Sequence, residues 1–598
     1  MIIDDLCRLY DLKLETGDMP PIGWSRERIS WEFVIDTDGA LVSAFPQGND
    51  EHSYVNMFVP EHTAKTNGDK VFFLCDSAAI LLGLGTAKNV REHALSCGSH
   101  RAFLSEVDDP AAEALCKFFE HDHAGDPTAV DCSDSLNTLA VFRLLGDDCL
   151  VHERQAIKEK WNSDFESWVG TPQKKGNRKK SSASQMAQCS VTGNLSQPAS
   201  LFPLLKGISH SAASLVSFNC DAFCSYGKSK DDQAANSSMS AIAAFKAGSV
   251  LRYLMNDRNH YVTLGIDRLA FWTERETPAE LNDIELFLGM DDIERRAAKE
   301  DQALVDELHE KLEAIRAGRS HSDVDASTQY YLMCVSPNKA RLSVRFFETG
   351  TLGDLNRRFG QYLRDIELVD MSGSGSSLKP RSIRAYIYQT APLGKADNVP
   401  ETLVASSIRA MLRGDAFPYA LYAQLIGRMR VDKGYNSTSG KKLDAMHLRV
   451  PMIKACLLRW ARQQRDIATE RSLTVSLNEE NENRGYVLGR LFAALEKAQR
   501  DALGQQVNAT IRDRYIGSAS ATPARVFPQL LKLAQHHISK AEFGDYDERL
   551  IESIMAKINS VDGFPATLSL PEQGQFYIGY YQQKAAFYVK KDVSEKEN

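Results

Sequence analysis

Alternating apolar and polar residues near the start of the chain predict a β-hairpin. In residues 29–45, ISWEFVIDTDGALVSAF, the alternation continues on both sides of Thr37-Asp38-Gly39, where glycine supplies the positive φ angle that a tight turn needs. A second hairpin is predicted over residues 330–350, with its turn at Ser336-Pro337-Asn338. One face of its returning strand carries Lys339, Arg341, Ser343 and Arg345.

Helical spacing of apolar residues accounts for most of the remaining chain. It begins at residues 2–14 and recurs after Ser240, which is predicted to be the N-cap of a helix, and in an acidic helix over 279–318. At the end of the chain, short connections between helices predict an up-down four-helix bundle, with breaks that include Gly517-Ser518. Its predicted helices are Arg484–Leu503, Thr522–Ala541, Tyr546–Val561 and Pro571–Val589. The fold class is therefore α+β, with mixed N-terminal and middle regions before an all-α C-terminal bundle.

A basic, Ser- and Gly-containing stretch divides the chain. Residues 171–184, TPQKKGNRKKSSAS, have no apolar periodicity, so we interpret 171–188 as a flexible linker that is either a tether or a basic arm for nucleic acid. This predicts an N-terminal region over 1–170, a middle α+β domain over 189–470 and the helical bundle over 471–598.

Composition describes an ordinary globular protein of 598 residues, with 43% hydrophobic and 25% charged residues. The sequence contains no apolar run long enough to span a membrane, and its start lacks the features of a signal peptide, so we expect a cytoplasmic protein. The net charge of −8 hides a segregation of charge. Residues 424–465 contain ten Lys and Arg against two Asp, whereas residues 273–313 contain fourteen acidic against five basic residues. The basic segment either lines a nucleic-acid channel or is a solvated helix face.

One cluster of residue types that can ligate a metal ion stands out in the sequence, Glu120-His121-Asp122-His123. The sequence contains neither a phosphate-binding G-x-x-x-x-G-K-[ST] loop nor an H-E-x-x-H zinc motif. The cluster is local and lies beside Gly125 and Pro127, which favours a solvated loop. The alternative is a metal-dependent nuclease built around His121, Asp122 and His123.

Residues 217–228 combine hydroxyls, an amide, aromatic rings and a cation in a predicted loop. Ser217 and Asn219 flank Phe218, and Ser225-Tyr226-Gly227-Lys228 follows. Such groups bind phosphate oxygens and stack on bases, and they also form ordinary turns. Both readings stay open on these residues alone.

Long stretches of the chain resemble the large subunit of the type I-C CRISPR surveillance complex (Cascade), the Csd-one or Cas-eight-c family. Similar elements include Cys189-x-Val191-Thr192-Gly193, the Ser217–Asn219 and Ala222–Lys228 stretches, and Ser336-Pro337-Asn338-x-x-Arg341. The resemblance is densest in LNEENENRGYVLGRLFAALEKAQ, NATIRDRYIGSASATPARVFPQLLKLAQHHISK and LSLPEQGQFYIGYYQQKAAFY.

The resemblance implies a non-catalytic prokaryotic subunit with no cofactor and no metal. Such a subunit sits at one end of an assembly built on a CRISPR RNA, beside backbone subunits and a subunit that caps one end of the guide. It recognises the protospacer-adjacent motif (PAM) on double-stranded target DNA, helps unwind it, and supports recruitment of a helicase–nuclease. The same gene also yields small subunits from its C-terminal part. A purely structural scaffold is the second alternative.

Three groups of contact residues follow from the resemblance and from charge placement. The predicted PAM-region residues are Lys65, Thr66, Asn67 and Lys70. Residues predicted to contact nucleic acid or another subunit are Ser217, Asn219, Tyr226, Lys228, Lys339, Arg341 and Arg345. Arg490 and Lys497 lie two turns apart on one helix, and the predicted C-terminal strand contacts are Arg490, Lys497, Arg512, Arg514 and Lys532.

Overall fold

The computed structural model divides into two compact units. One comprises Met1–Arg258 with Ser336–Ser343, and the other comprises Asn259–Val335 with Val344–Asn598. The residues that the structure describes are 2–48, 53–62, 71–121, 123, 136–168, 186–199, 201–205, 208, 212–230, 233–300, 302–319, 324–371, 375–392, 395, 398–432, 435–436, 442–443, 445–504, 510–558 and 563–588. Most of the predicted linker lies outside them, and the functional division at residues 170, 188 and 470 stays a prediction. Among the described helices, none combines the length and the apolar character needed to cross a membrane.

The first unit begins with a mixed sheet. Its strands are β1 (Trp24–Ile35), β2 (Leu41–Pro46), β3 (Val55–Pro60), β4 (Cys75–Ser77) and β5 (Leu139–Leu144). Strand β1 is antiparallel to β2 and β3 and parallel to β5, and β4 is antiparallel to β5. The predicted β1–β2 hairpin is confirmed, and Gly39 takes a φ of +80° in its turn.

Helices continue the first unit. They are α1 (Ile2–Glu15), α2 (Ala78–Leu82), α3 (Ala87–Leu104), α4 (Pro110–Phe118) and α5 (Gln155–Trp168). Short strands follow, β6 (Ala187–Gln188), β7 (Leu195–Ser196), β8 (Leu204–Leu205) and β9 (Ala213–Ser214), with helices α6 (Gln233–Asn236) and α7 (Ala241–Asn256). The predicted N-cap of α7 is confirmed, because the Ser240 hydroxyl accepts a hydrogen bond from Ala243 N at 3.1 Å.

The second unit starts with an antiparallel sheet. Its strands are β10 (Tyr261–Leu264), β11 (Asp267–Thr273), β12 (Gln329–Asn338) and β13 (Arg341–Thr351), whose hairpin tip 336–343 belongs to the first unit. The predicted turn at Ser336–Asn338 is wrong. Those residues end β12, and the chain reverses at Lys339-Ala340, where Lys339 takes the left-handed conformation with φ +54°.

Helices make up most of the rest of the second unit. The predicted acidic helix is two helices, α8 (Pro278–Glu300) and α9 (Gln302–Arg316). They are followed by α10 (Leu352–Ile366), α11 (Ile383–Tyr388), α12 (Glu401–Arg413), α13 (Tyr419–Val431), strands β14 (Tyr435–Asn436) and β15 (Lys442–Leu443), α14 (Ala445–Gln464) and α15 (Ile467–Ser472). The α+β class is confirmed.

The described C-terminal residues form five helices where the sequence predicted four. They are α16 (Arg484–Leu503), α17 (Ile511–Ala521), α18 (Pro523–Ile538), α19 (Gly544–Met555) and α20 (Leu570–Ala586). Gly517 and Ser518, predicted as a break, lie inside α17, whose N-terminus is capped by Thr510 together with Asp513. Helix α20 also packs on the middle helices, since the Tyr422 hydroxyl donates to the Leu570 carbonyl at 2.9 Å.

Candidate nucleic-acid interface

The loop that follows β9 is tied to the tip of the β12–β13 hairpin. Ser214 N donates to the Ala340 carbonyl at 3.0 Å, and Arg341 pairs with Ser214 as a parallel neighbour. The loop then forms a 3₁₀ turn at Asp221–Phe223. These backbone contacts bring the loop and the hairpin tip, which are more than 100 residues apart in sequence, onto one surface of the first unit.

Arg341 is the centre of this surface. Its guanidinium carbon lies 3.7 Å from the centroid of the Phe223 ring, and its Nη2 donates a hydrogen bond to Asn219 Oδ1. A cation stacked on an aromatic face at an exposed site contributes about 0.5–1 kcal/mol. Because Asn219 is a neutral partner, the positive charge of Arg341 is not cancelled by this contact. The structure thus brings together two predicted residues, Asn219 and Arg341, with one that the prediction omitted, Phe223.

Tyr226 projects from the same loop. It is 98% exposed, and it takes a positive φ of +56° directly before Gly227 at +71°. Left-handed backbone at a non-glycine residue costs on the order of 1–3 kcal/mol and is concentrated at functional sites. Lys228 follows and is exposed. An aromatic ring and an ammonium group are therefore displayed to solvent two positions apart in the chain.

Contacts within the loop stabilise this display. Lys230 Nζ lies 2.6 Å from Asp221 Oδ2, and Asn236 Nδ2 donates to the Ser229 carbonyl at 3.0 Å. Phe218 N donates to the Gln233 side chain at 3.2 Å. Ser217 is half-buried beside these contacts, so it is less available to a ligand than its neighbours.

We name the surface formed by Asn219, Phe223, Tyr226, Lys228, Lys339 and Arg341 the aromatic–cationic ledge. Lys339 is exposed at the hairpin turn of the same unit. Arg345, predicted with this group, is exposed on the part of β13 that belongs to the second unit. Aromatic rings beside exposed cations are the usual components of a surface that binds single-stranded nucleic acid.

The predicted PAM-region residues Lys65, Thr66, Asn67 and Lys70 lie outside the described residues. The chain on both sides of them is described. The rings of His62 and Phe72 stack with their centroids 4.0 Å apart, and Phe72 N donates to Asp76 Oδ2 at 2.8 Å. Burial raises the pKa of the neighbouring Glu61 carboxyl to about 7, although Arg252 Nη2 lies 3.6 Å away.

Arg490 and Lys497, two of the predicted C-terminal strand contacts, are engaged in contacts within the second unit. Arg490 is 2% exposed and its guanidinium donates to Gln583 Oε1 and to the Glu479 carbonyl at 2.9 and 3.3 Å. Lys497 is half-buried and ion-paired with Asp501 and Asp547. The strand contact of Arg490 stays a prediction, and burial argues against it because the guanidinium is bonded inside the helical region. The Lys497 charge is already neutralised.

The other predicted C-terminal contacts lie at the surface. Arg514 and Lys532 are exposed, and Arg512 is half-buried with its guanidinium carbon 5.9 Å from the Tyr580 ring centroid. Arg512 and Arg514 line one cleft together with Arg430.

Three of the seven cations in the basic segment 424–465 whose burial the structure describes are buried, so these cations do not form a continuous exposed row along a channel. Arg449 is 2% exposed and bonds Asp432 at 2.7 Å. Arg459 bonds the fully buried Asp365 at 2.9 Å, and Lys454 Nζ donates to the Glu367 carbonyl at 2.9 Å. Burial lowers the pKa of Lys454 to about 8. These cations stabilise the second unit.

The His121–His123 cluster is not arranged as a metal site in the described part. His123 is 3% exposed, stacks on Phe118 with the centroids 4.0 Å apart, and its Nε2 lies 3.0 Å from the Phe118 carbonyl. Asp122 lies outside the described residues, and among those described no group of three or more His, Cys, Asp or Glu could hold a metal ion.

The family model for "CRISPR-associated protein (Cas_Csd1)" matches residues 6–588. The chain belongs to this family. No curated protein matches it significantly. Membership of the Csd1 family confirms the resemblance drawn from the sequence and identifies the chain as a CRISPR-associated protein of a Cascade complex.

Sequence reasoning missed two residues of these surfaces. Phe223 stands inside the Csd1 signature Ala222–Lys228, yet only its pairing with Arg341 shows that its ring supports a cation. Arg430 belongs to the basic segment 424–465, as does the buried Arg449, and both residues are arginines. For Phe223, its position inside the family signature could have pointed to a functional role. For Arg430, nothing in the sequence distinguishes an exposed arginine from the buried Arg449.

Proposed function

We propose that this Csd1-family chain is the non-catalytic large subunit of a type I-C RNA-guided surveillance complex in the prokaryotic cytoplasm. In this role it binds double-stranded target DNA, recognises the PAM, helps to unwind the duplex and supports R-loop formation and recruitment of the helicase–nuclease. Its partners are the CRISPR RNA, the backbone subunits, the guide-end-capping subunit and small subunits from the C-terminal part of the same gene.

The aromatic–cationic ledge carries this proposal. Guide pairing reads the long target sequence, so the large subunit needs only a few base contacts and a set of phosphate and stacking contacts. Tyr226 offers a ring for one unpaired base, and Lys228 and Arg341 offer cations for the adjoining phosphates. The loop around Lys65–Lys70 is the proposed PAM reader. A net charge of −8 would limit indiscriminate DNA binding by the free chain.

The test is DNA binding by the complex reconstituted with its partner subunits and a CRISPR RNA. Fluorescent duplexes with and without the PAM are titrated at two salt concentrations. Tyr226→Ala is expected to weaken target binding about tenfold, and Tyr226→Phe to restore it, because stacking of a base on an aromatic ring is worth about 1–3 kcal/mol. Phe543→Ala, at a ring that is 64% exposed in the second unit, is the matched control.

A second pair of variants tests the PAM assignment. Thr66→Ala with Asn67→Ala should weaken binding of PAM-containing DNA more than of PAM-free DNA. Equal weakening of both would leave the loop as a phosphate clamp only.

Two outcomes contradict the proposal as a whole. A complex that assembles with the guide but shows no dependence of DNA binding on Tyr226, Arg341 or Thr66 would favour a purely structural scaffold. Metal-dependent cleavage of DNA by the purified chain alone would favour the nuclease alternative around His121.

A further inference from the structure

A concave, partly charged cleft lies in the second unit, between the C-terminal end of α13, the start of α14 and helix α17. Its volume is about 500 Å³, within the range typical of small-molecule sites. The walls meet closely because residue 517 is glycine: a Cβ there would lie 2.6 Å from the Arg430 carbonyl oxygen. Gly517 thus places the arginines of α17 opposite Arg430.

Three arginines, Arg430, Arg512 and Arg514, line this cleft. Arg430 and Arg514 are exposed, and among the residues that the structure describes neither has a carboxylate partner. The two aspartates of the cleft are already engaged. Asp432 accepts from Arg428 Nε at 3.0 Å and from Arg449 Nη2 at 2.7 Å, and Asp513 accepts from Thr510 N at 3.0 Å.

The remainder of the lining is apolar or carries hydroxyls. Met429 and Met446 are 4% and 3% exposed, and Ile516 is half-buried. The Ser518 hydroxyl donates to the Tyr515 carbonyl at 3.0 Å, which leaves its oxygen able to accept a hydrogen bond. Methionine side chains adapt their shape to planar rings and contact them favourably through sulfur. The cleft therefore combines a site for an anion with a floor suited to a flat, apolar group.

We propose that this cleft binds a nucleotide, with its phosphate held by Arg430, Arg512 and Arg514 and its base against Met429 and Met446. Guanidinium groups form paired hydrogen bonds with phosphate oxygens, and three arginines line this one cleft. A free mononucleotide and one turned-out nucleotide of a bound strand present the same chemistry. The proposal does not rest on the proposed function, because binding of a mononucleotide by the free chain requires neither guide RNA nor partner subunits.

The experiment is isothermal titration of the purified full chain with a nucleoside 5′-monophosphate, a trinucleotide and inorganic phosphate. Arg430→Gln and Arg514→Gln are each expected to weaken binding about tenfold, the loss of one charge-assisted contact. Arg525→Gln is the matched control, since Arg525 is exposed on the adjoining helix α18 and does not line the cleft. Met446→Gln should weaken nucleotide binding while leaving phosphate binding unchanged.

The ligands separate the two sources. Binding of both the mononucleotide and the trinucleotide, with losses in both arginine variants, indicates a free-nucleotide site. Binding of the trinucleotide alone, with the same losses, indicates a nucleotide of a strand. The proposal is overturned if neither nucleotide binds, if inorganic phosphate binds as tightly as either nucleotide, or if Arg525→Gln reduces binding as much as Arg514→Gln.

Discussion

Replacing Gly489 by alanine tests the packing of the C-terminal helices most directly. Helices α16 and α20 approach so closely that a Cβ on Gly489 would lie 2.0 Å from the Phe576 carbonyl oxygen and 2.8 Å from Tyr580 N. Both atoms are backbone, so no side chain can rotate away. The helices must move apart until the distance reaches at least the 3.4 Å of an ordinary contact, which loosens the packing of Phe492 against Phe576 and Tyr580.

Two opposing contributions set the expected size of the effect. Overpacking of a closely fitted core destabilises by about 1–3 kcal/mol, and more where backbone must shift. Alanine regains about 0.8–1 kcal/mol of helix propensity. We expect a net loss of about 2 kcal/mol. The same change at Gly427, an exposed position within α13 where a Cβ meets nothing within 4 Å, should instead stabilise by up to about 1 kcal/mol.

Thermal unfolding by circular dichroism and hydrogen exchange of peptides from residues 484–503 and 570–586 measure the two variants. Gly489→Ala should lower the unfolding temperature and speed exchange in both helices, whereas Gly427→Ala should do neither. If Gly489→Ala is as stable as Gly427→Ala, helices α16 and α20 do not pack at the distance described.

Three further predictions concern charge, pH and the C-terminal part. Arg459→Ala leaves the carboxylate of the buried Asp365 with one arginine fewer and should destabilise the protein by about 3–5 kcal/mol in urea unfolding. The control Arg525→Ala, at an exposed site, should change stability by less than about 0.5 kcal/mol. Equal effects of the two variants would contradict the buried ion pair. Burial raises the pKa of Glu61 from 4.5 to about 7, so the folded state binds more protons than the unfolded state between these pH values. The free energy of unfolding should therefore fall by up to about 3 kcal/mol as pH rises through this window. Glu61→Gln should flatten this part of the plot of stability against pH, and an unchanged slope would show that other groups cause it. A fragment that starts at Met452 keeps most of α14, which packs on α20. It should unfold at a higher temperature than a fragment that starts at Val475, and light scattering should show less association. The opposite order would show that the C-terminal helices form their core without α14.

Local signals in the sequence predicted much of the fold. Alternation and Gly39 located the first hairpin, Ser240 the start of α7, and apolar periodicity the bounds of Arg484–Leu503. In each case the deciding interaction lies within a few residues, as in a turn, a cap or a helix face. Helix α17 was not predicted because Gly517 and Ser518 are typical of a break between helices. In the structure Gly517 lies within α17, where its lack of a side chain allows close contact with the backbone of Arg430.

The sequence alone also determined the family, since residues across nearly the whole chain carry the Csd1 resemblance. It further identified four candidate contact residues, Asn219, Tyr226, Lys228 and Arg341. Only the tertiary structure decided which charges are available to a ligand. Arg430 and Arg449 have the same charge and lie 19 positions apart in one basic segment, but Arg449 is enclosed and bonded to Asp432 while Arg430 opens to a cleft. The reason is that burial and pairing depend on residues distant in sequence, whereas composition and periodicity report only near neighbours.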